Sequence, residues 1–175
     1  MKKSPFLQTI FERYAQYQKL DKKSRLLEQG DVSTKAFYVQ SGCLRMWYNN
    51  MGEDITVKFF TSGDIVSSLE SFYLREPSKF GIETIISSEV LIVDYAQFEQ
   101  EALQGKQFNQ EMLSVAVSCM ADYQNLFLNR IMNCPEERYK LFVNKSGHLF
   151  DLIPHHYIAS YLGITPVSLS RIRKR

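Results

Sequence analysis

Cysteine is scarce, and its placement excludes more than its number does. Cys43, Cys119 and Cys134 are scattered, odd in count and without a Cys-x-x-Cys pair, so neither a disulfide framework nor a zinc site follows and buried free thiols are expected. Three such thiols also fall short of the four ligands of an iron–sulfur centre. The three histidines, His148, His155 and His156, all lie near the C-terminal end. Adjacent His155 and His156 face different ways on a helix, which suits phosphate contact or plain exposure rather than haem or a metal. No apolar run approaches the roughly 20 residues of a membrane span, and the opening Met-Lys-Lys-Ser-Pro leads into no uninterrupted apolar core. A cytoplasmic protein without membrane contact is expected. A phosphate-cradling glycine loop, a nucleophile elbow, a zinc-helix motif and a convincing carboxylate pair are all missing, so no enzyme and no cofactor are expected.

Net charge is also small, +2 over 175 residues, too little to imply nucleic acid by itself. Its distribution says more, because four of the final five residues are Arg or Lys. Upstream of that cluster, Ile158 and Leu162 share a helical face beside the small Ala159, and Gly163 supplies the backbone freedom of a tight turn. Thr165 is a natural N-cap and Pro166 fits the first helical position. On the helix that follows, Leu169 and Ile172 fall on one side, with Val167, Ser170, Arg171 and Lys174 roughly opposite. This is a helix-turn-helix pattern. Thr165 and Ser168 then suit phosphate near the helix N-terminus, and Arg171 suits a bidentate contact to guanine. An ordinary helical hairpin with a solvated basic tail is the alternative.

Before that hairpin, an apolar fraction of 45% is ample for a buried core. Residues 4–20 carry Phe6, Leu7, Ile10, Phe11, Tyr14 and Tyr17 at helical spacing, with Ser4 as cap, and predict an amphipathic helix whose aromatic face meets core or interface. Runs at 25–28, 36–48, 55–60, 65–69 and 82–93, punctuated by turn formers such as Ser62-Gly63-Asp64, predict an antiparallel β-domain of two layers. Gly105 is expected to separate a short helix from a long one. On the long helix, Met112, Ala116, Cys119, Tyr123 and Leu126 alternate steps of four and three, and Leu113, Val117, Met120, Phe127 and Ile131 follow one residue behind. One stripe can pack on the β-domain while the other meets a twin, and the first is taken as the dimer face. A central helix buried within one monomer is the alternative. Asn133-Cys134-Pro135 predicts a break and a hinge, beyond which a small helical unit hangs by one helix end.

This order of elements, with Gly30, Phe37–Gly42, Gly63-Asp64, the aliphatics around Val90–Val93 and Ile158–Arg175, resembles the Crp/Fnr family of bacterial transcription regulators. The resemblance implies an α+β chain: a helix and cyclic-nucleotide-binding-type jelly roll at 1–106, a dimerisation helix at 107–133, and a helix-turn-helix unit at 134–175. It also implies homodimers on double-stranded promoter DNA, in reach of RNA polymerase. Relatives that bind cyclic AMP carry Gly-Glu-Leu and Arg-Ser-Ala where this chain reads Ser67-Ser68-Leu69 and, approximately, Ser78-Lys79-Phe80. Without those charges the ribose and the cyclic phosphate lose their partners, so cyclic AMP is not expected to bind. Lys79 offers a point charge but no planar fork. The pocket then takes another small molecule or is filled by its own side chains, the second being the expectation. Relatives often place arginine at Pro166 and a polar residue at Val167, so Arg171 is the one matching base reader, and Val167 suits a thymine methyl. The two-stranded wing that usually follows is not expected in a chain that stops at Arg175. The competing function is a small-molecule-binding or interaction module without DNA binding.

Overall fold

The computed structural model describes residues 5–104 and 106–174, so the expected cap Ser4, the expected separator Gly105 and the terminal Arg175 lie outside the described residues. Helix α1 (Pro5–Tyr14) is shorter than its spacing predicts, and residues 16–20 form strand β1 (Gln16–Leu20). Leu7, Ile10 and Phe11 of α1 are buried and Tyr14 packs against the same core, while Tyr17 stands exposed on the strand. Ladder pairing from Gln16↔Ile92 to Leu20↔Ser88 overrides the helical spacing there.

Seven further strands follow: β2 (Arg25–Leu27), β3 (Lys35–Ser41), β4 (Cys43–Asn50), β5 (Glu53–Thr61), β6 (Ile65–Val66), β7 (Gly81–Thr84) and β8 (Ser88–Asp94), with helix α2 (Leu69–Leu74) between β6 and β7. The run expected at 65–69 is thus a strand only at Ile65–Val66, with Ser67 and Ser68 outside any element and Leu69 opening a helix. Two antiparallel four-stranded sheets result, in the orders β1-β8-β3-β6 and β2-β7-β4-β5. Their facing sides bury Phe37, Val39, Leu44, Met46, Val66, Ile82 and Val90, the double layer of a jelly roll. At Gly81 a Cβ would sit 2.3 Å from the Trp47 indole, so only glycine lets that ring lie flat on β7.

Helix α3 (Tyr95–Gln104) leads to the long helix α4 (Lys106–Met132), about 40 Å in length at 1.5 Å per residue. In the single chain the stripe expected to meet a twin is instead turned in part to the β-domain. Met112 and Cys119 turn inward and pack with Phe108 and Val115 against α1, α3 and the β-domain. Tyr123 reaches the Met46 sulfur with its hydroxyl, and Leu126 is half-buried; Ala116 is exposed. The second stripe is the outward one, with Leu113, Met120, Phe127 and Ile131 all more than half exposed. The choice depends on which stripe the β-domain claims first, and periodicity cannot tell them apart.

Helix α5 (Pro135–Ser146) begins at the expected break, with Pro135 at its first position and a capping box in which Glu137 accepts from the Cys134 N–H. A 3-10 turn (Gly147–Phe150), α6 (His155–Leu162) and α7 (Pro166–Arg173) complete the chain. Cys134 is exposed, contrary to the expectation of buried thiols, whereas Cys43 is fully buried. Burial, aided by Asp64, pushes the Cys43 thiol up to about 12.

The helical unit does not hang by one helix end. Helix α6 lies along β5, where the Thr56 N–H donates to Ser160 Oγ at 2.9 Å and Phe59 meets Tyr161 at 5.3 Å between ring centroids. Cys43 and Ile85 of the β-domain share one buried cluster with Phe142, Leu149, Ile158, Leu162 and Leu169. Burial of Cys43 through Trp47 along β4 is explained by this cover on its outer face. Among the described residues, no helix is long and apolar enough to cross a membrane.

Candidate functional site

Two places carry chemistry: the face of α7 and the cavity between α4 and the β-domain. At the first, the expected turn is present. Gly163 takes φ +66°, a left-handed conformation, and its N–H and that of Ile164 close on carbonyls of α6. Thr165 caps α7 by accepting from the Ser168 N–H at 3.1 Å, and the two hydroxyls lie 3.0 Å apart. Leu169 is 1% exposed and holds the helix to the cluster beneath, with Ile172 half-buried beside it. Val167, Ser170, Arg171 and Lys174 all face solvent. Arg173 belongs elsewhere: its Nη1 lies 2.9 Å from His155 Nε2 and its guanidinium covers Phe150 at 5.2 Å. Arg171 and Lys174 therefore remain the extended cations of that face, at the C-terminal end of the helix, where the dipole favours them.

Sequence reading missed what holds this unit in place. Arg45 is 1% exposed in the middle of β4. Its Nε donates to Glu83 at 2.7 Å, and Nη1 and Nη2 fork Asp54 at 2.7 and 2.6 Å. Nη1 also reaches the Thr56 hydroxyl at 3.0 Å. Burial alone lowers its pKa, but hydrogen bonds to Asp54 and Glu83 outweigh that and keep the guanidinium charged. Tyr157 of α6 lies over Arg45 at 3.9 Å, and Arg25 reaches Glu83 at 3.0 Å while covering Trp47 at 4.4 Å. His156 rests 4.0 Å from Tyr157, and partial burial followed by the Arg45 charge holds its pKa below the ordinary value. The one signal in the sequence is an arginine inside an otherwise apolar and aromatic strand run.

The second place is a cavity of about 1180 Å³, where the resemblance puts an effector. Ser67, Ser68 and Leu69 line it. Ser78 and Lys79 do not: Phe80 takes the lining position, and Lys79 pairs with Glu70 at 3.0 Å on the exposed rim. Ser78 Oγ lies 2.7 Å from both Ser68 Oγ and the Phe80 carbonyl, so it gives its proton to one and engages the other. Ser67 Oγ is 3.3 Å from the Lys35 carbonyl and from Ser33 Oγ. The serines are thus turned to the protein's own groups. Among the described residues no arginine lines the cavity, and Met46, Phe60, Phe72 and Phe80 are part of its wall. Nor is the cavity filled by its own side chains, as had been expected, because bulky residues line the walls rather than the centre.

The sequence profile of the cyclic nucleotide-binding domain matches residues 17–104. No curated protein sequence matches the chain. Several solved structures share its fold at low identity. FixK2 of Bradyrhizobium japonicum superposes with a TM-score of 0.81 at 16% identity, over 91% of this chain and 83% of that one. A regulator of the Crp/Fnr family from Eubacterium rectale gives 0.73 at 15%, over 98% and 82%. The c-di-GMP-responsive global regulator CLP of Xanthomonas campestris gives 0.71 at 13%, over 98% and 90%.

Proposed function

The chain belongs to the cyclic nucleotide-binding domain family, in the arrangement of Crp/Fnr regulators, and on that premise we propose that it is a dimeric, DNA-binding transcription regulator acting in the cytoplasm at promoters. The observation that carries this reading is the contrast along α7: Leu169 is sealed beneath the helix while Val167, Ser170, Arg171 and Lys174 stand free above it. A helix anchored on one side and basic on the other has the form of an element that enters a major groove. Thr165 and Ser168, at its N-terminus, supply hydroxyls and a positive dipole end suited to a DNA phosphate. Dimerisation is supported by the outward stripe of α4, whose Leu113, Val117, Met120, Phe127 and Ile131 fall at coiled-coil spacing.

In this reading the β-domain does not answer to cyclic AMP. Among the described residues no arginine lines its cavity, and calorimetry with cyclic AMP or cyclic GMP is expected to show no micromolar binding. Fluorescence anisotropy with genomic fragments tests the function directly. Binding falls as salt rises, one fragment is preferred, and Arg171→Ala costs about 1–3 kcal/mol on that fragment. Equal affinity of wild type and Arg171→Ala for every fragment would overturn the assignment of Arg171. Ligand stabilisation without any DNA binding would favour a binding module instead.

A further inference from the structure

A pocket lined by no arginine among the described residues still has a chemical character of its own. The cavity between α4 and the β-domain measures about 1180 Å³, while ligand pockets commonly span about 300–1,000 Å³. Its depth is walled by Ile65, Phe60, Met46 and Phe72 of the β-domain and α2, and by Met112 and Cys119 of α4. Among the described residues only two charged side chains line it, Lys58 and Glu70. Each already has a partner outside the apolar wall: Lys58 Nζ lies 2.7 Å from Asp122, and Glu70 lies 3.0 Å from Lys79. A charged guest would have to break one of these pairs or enter unpaired, and both cost more than a neutral guest pays.

We propose that this cavity is an effector site for an uncharged, predominantly apolar organic molecule, with a hydroxyl or carbonyl directed to Gln124 of α4. Neutrality is the chemical complement of a lining whose charges are satisfied elsewhere. The molecule's position follows from the lining: it touches both the inward stripe of α4 and the β-domain, so its presence bears on how the long helix is seated. Leu113, Met120 and Phe127 of the outward stripe reach the cavity's edge, where a twin helix would border it, but the floor at Met46, Phe60 and Ile65 belongs to the buried core of the β-domain, a depth suited to a small molecule. This proposal rests on the reading of the β-domain as an effector domain, but it is tested without DNA.

The probe is N-phenyl-1-naphthylamine, a neutral apolar fluorophore that brightens in apolar surroundings, titrated into the full-length protein. Wild type binds it saturably, and cyclic AMP does not displace it. Ala116→Trp, which fills the cavity from an exposed position of α4, and Phe80→Arg, which sets a cation into the wall, each weaken binding by about tenfold or more. Ile131→Glu lies on the outward stripe but does not line the cavity, so it lowers probe affinity less than the cavity variants do. Two wild-type-like affinities in the cavity variants would overturn the proposal. So would a loss with Ile131→Glu equal to theirs, which places the probe on the stripe, or displacement by cyclic AMP. Circular dichroism of each variant confirms folding; should Phe80→Arg unfold, Ala116→Trp alone decides the outcome. A protein that binds the probe as expected and no DNA fragment refutes the regulator reading only.

Discussion

Arg45 shows how much one buried charge can organise. Its guanidinium is 1% exposed, yet it holds Glu83 of β7, Asp54 and Thr56 of β5, and the ring of Tyr157 on α6. Removing one partner of a buried ion pair costs about 3–5 kcal/mol, because the remaining charge is left unsolvated. Here Glu83 keeps Arg25 at 3.0 Å and Asp54 is 45% exposed at its side chain, so water and Arg25 relieve part of the loss. Arg45→Met is therefore expected at the lower end, about 3 kcal/mol of unfolding free energy by urea denaturation. Adding Glu83→Gln to it recovers part of that loss, since the second substitution removes the carboxylate left behind. A single variant indistinguishable from wild type would mean that the network contributes nothing to stability.

At the scale of the elements, α4 makes the sharpest prediction, since its two stripes differ by one residue in register and by everything in role. Ile131 is 65% exposed on the outward stripe, and Met112 packs on the core of its own protomer. Ile131→Glu is expected to shift sedimentation from dimer toward monomer and to weaken DNA binding with it, since two half-sites are read together. Met112→Ala should instead lower the thermal midpoint and leave the association state alone. The reverse pair of outcomes would restore Met112, Ala116, Cys119, Tyr123 and Leu126 as the dimer face. The same helix marks the limit of what a single sequence discloses. Helix length, the break at Asn133–Pro135, the jelly-roll strands and the Gly163 turn were legible, because each rests on local chemistry: caps, proline, glycine and alternation. Which stripe faces inward was not, because that is settled by the shape of a β-domain distant in sequence. Ser67, Ser68 and Leu69 line the cavity, while Ser78 and Lys79 give way to Phe80 through a loop whose path no pattern encodes.

The whole molecule turns on the contact between the β-domain and the helix-turn-helix unit. A hinge at Asn133–Pro135 with free helices beyond it would let the two parts unfold separately. The structure instead gives them a common core, in which Ile158 and Leu169 of the helices lie with Cys43 and Ile85 of the β-domain. Ile158 is 0% exposed, so truncation to alanine removes buried methyl groups with little room to relax and is expected to cost about 2–5 kcal/mol. Trp47, the one tryptophan in the chain, sits in β4 under Arg25 and reports mainly on the sheet. Far-ultraviolet circular dichroism reports mainly on the helices. If the shared core couples the two parts, Ile158→Ala moves the urea midpoint of Trp47 fluorescence and of the helical signal together, as one cooperative transition. Were the Trp47 transition to stay at its wild-type midpoint while the helical signal fell earlier, the two parts would be energetically separate. The docking of α6 on β5 would then be a resting position rather than a part of the fold, and an effector in the cavity would have to reach the DNA-reading helix through α4 alone.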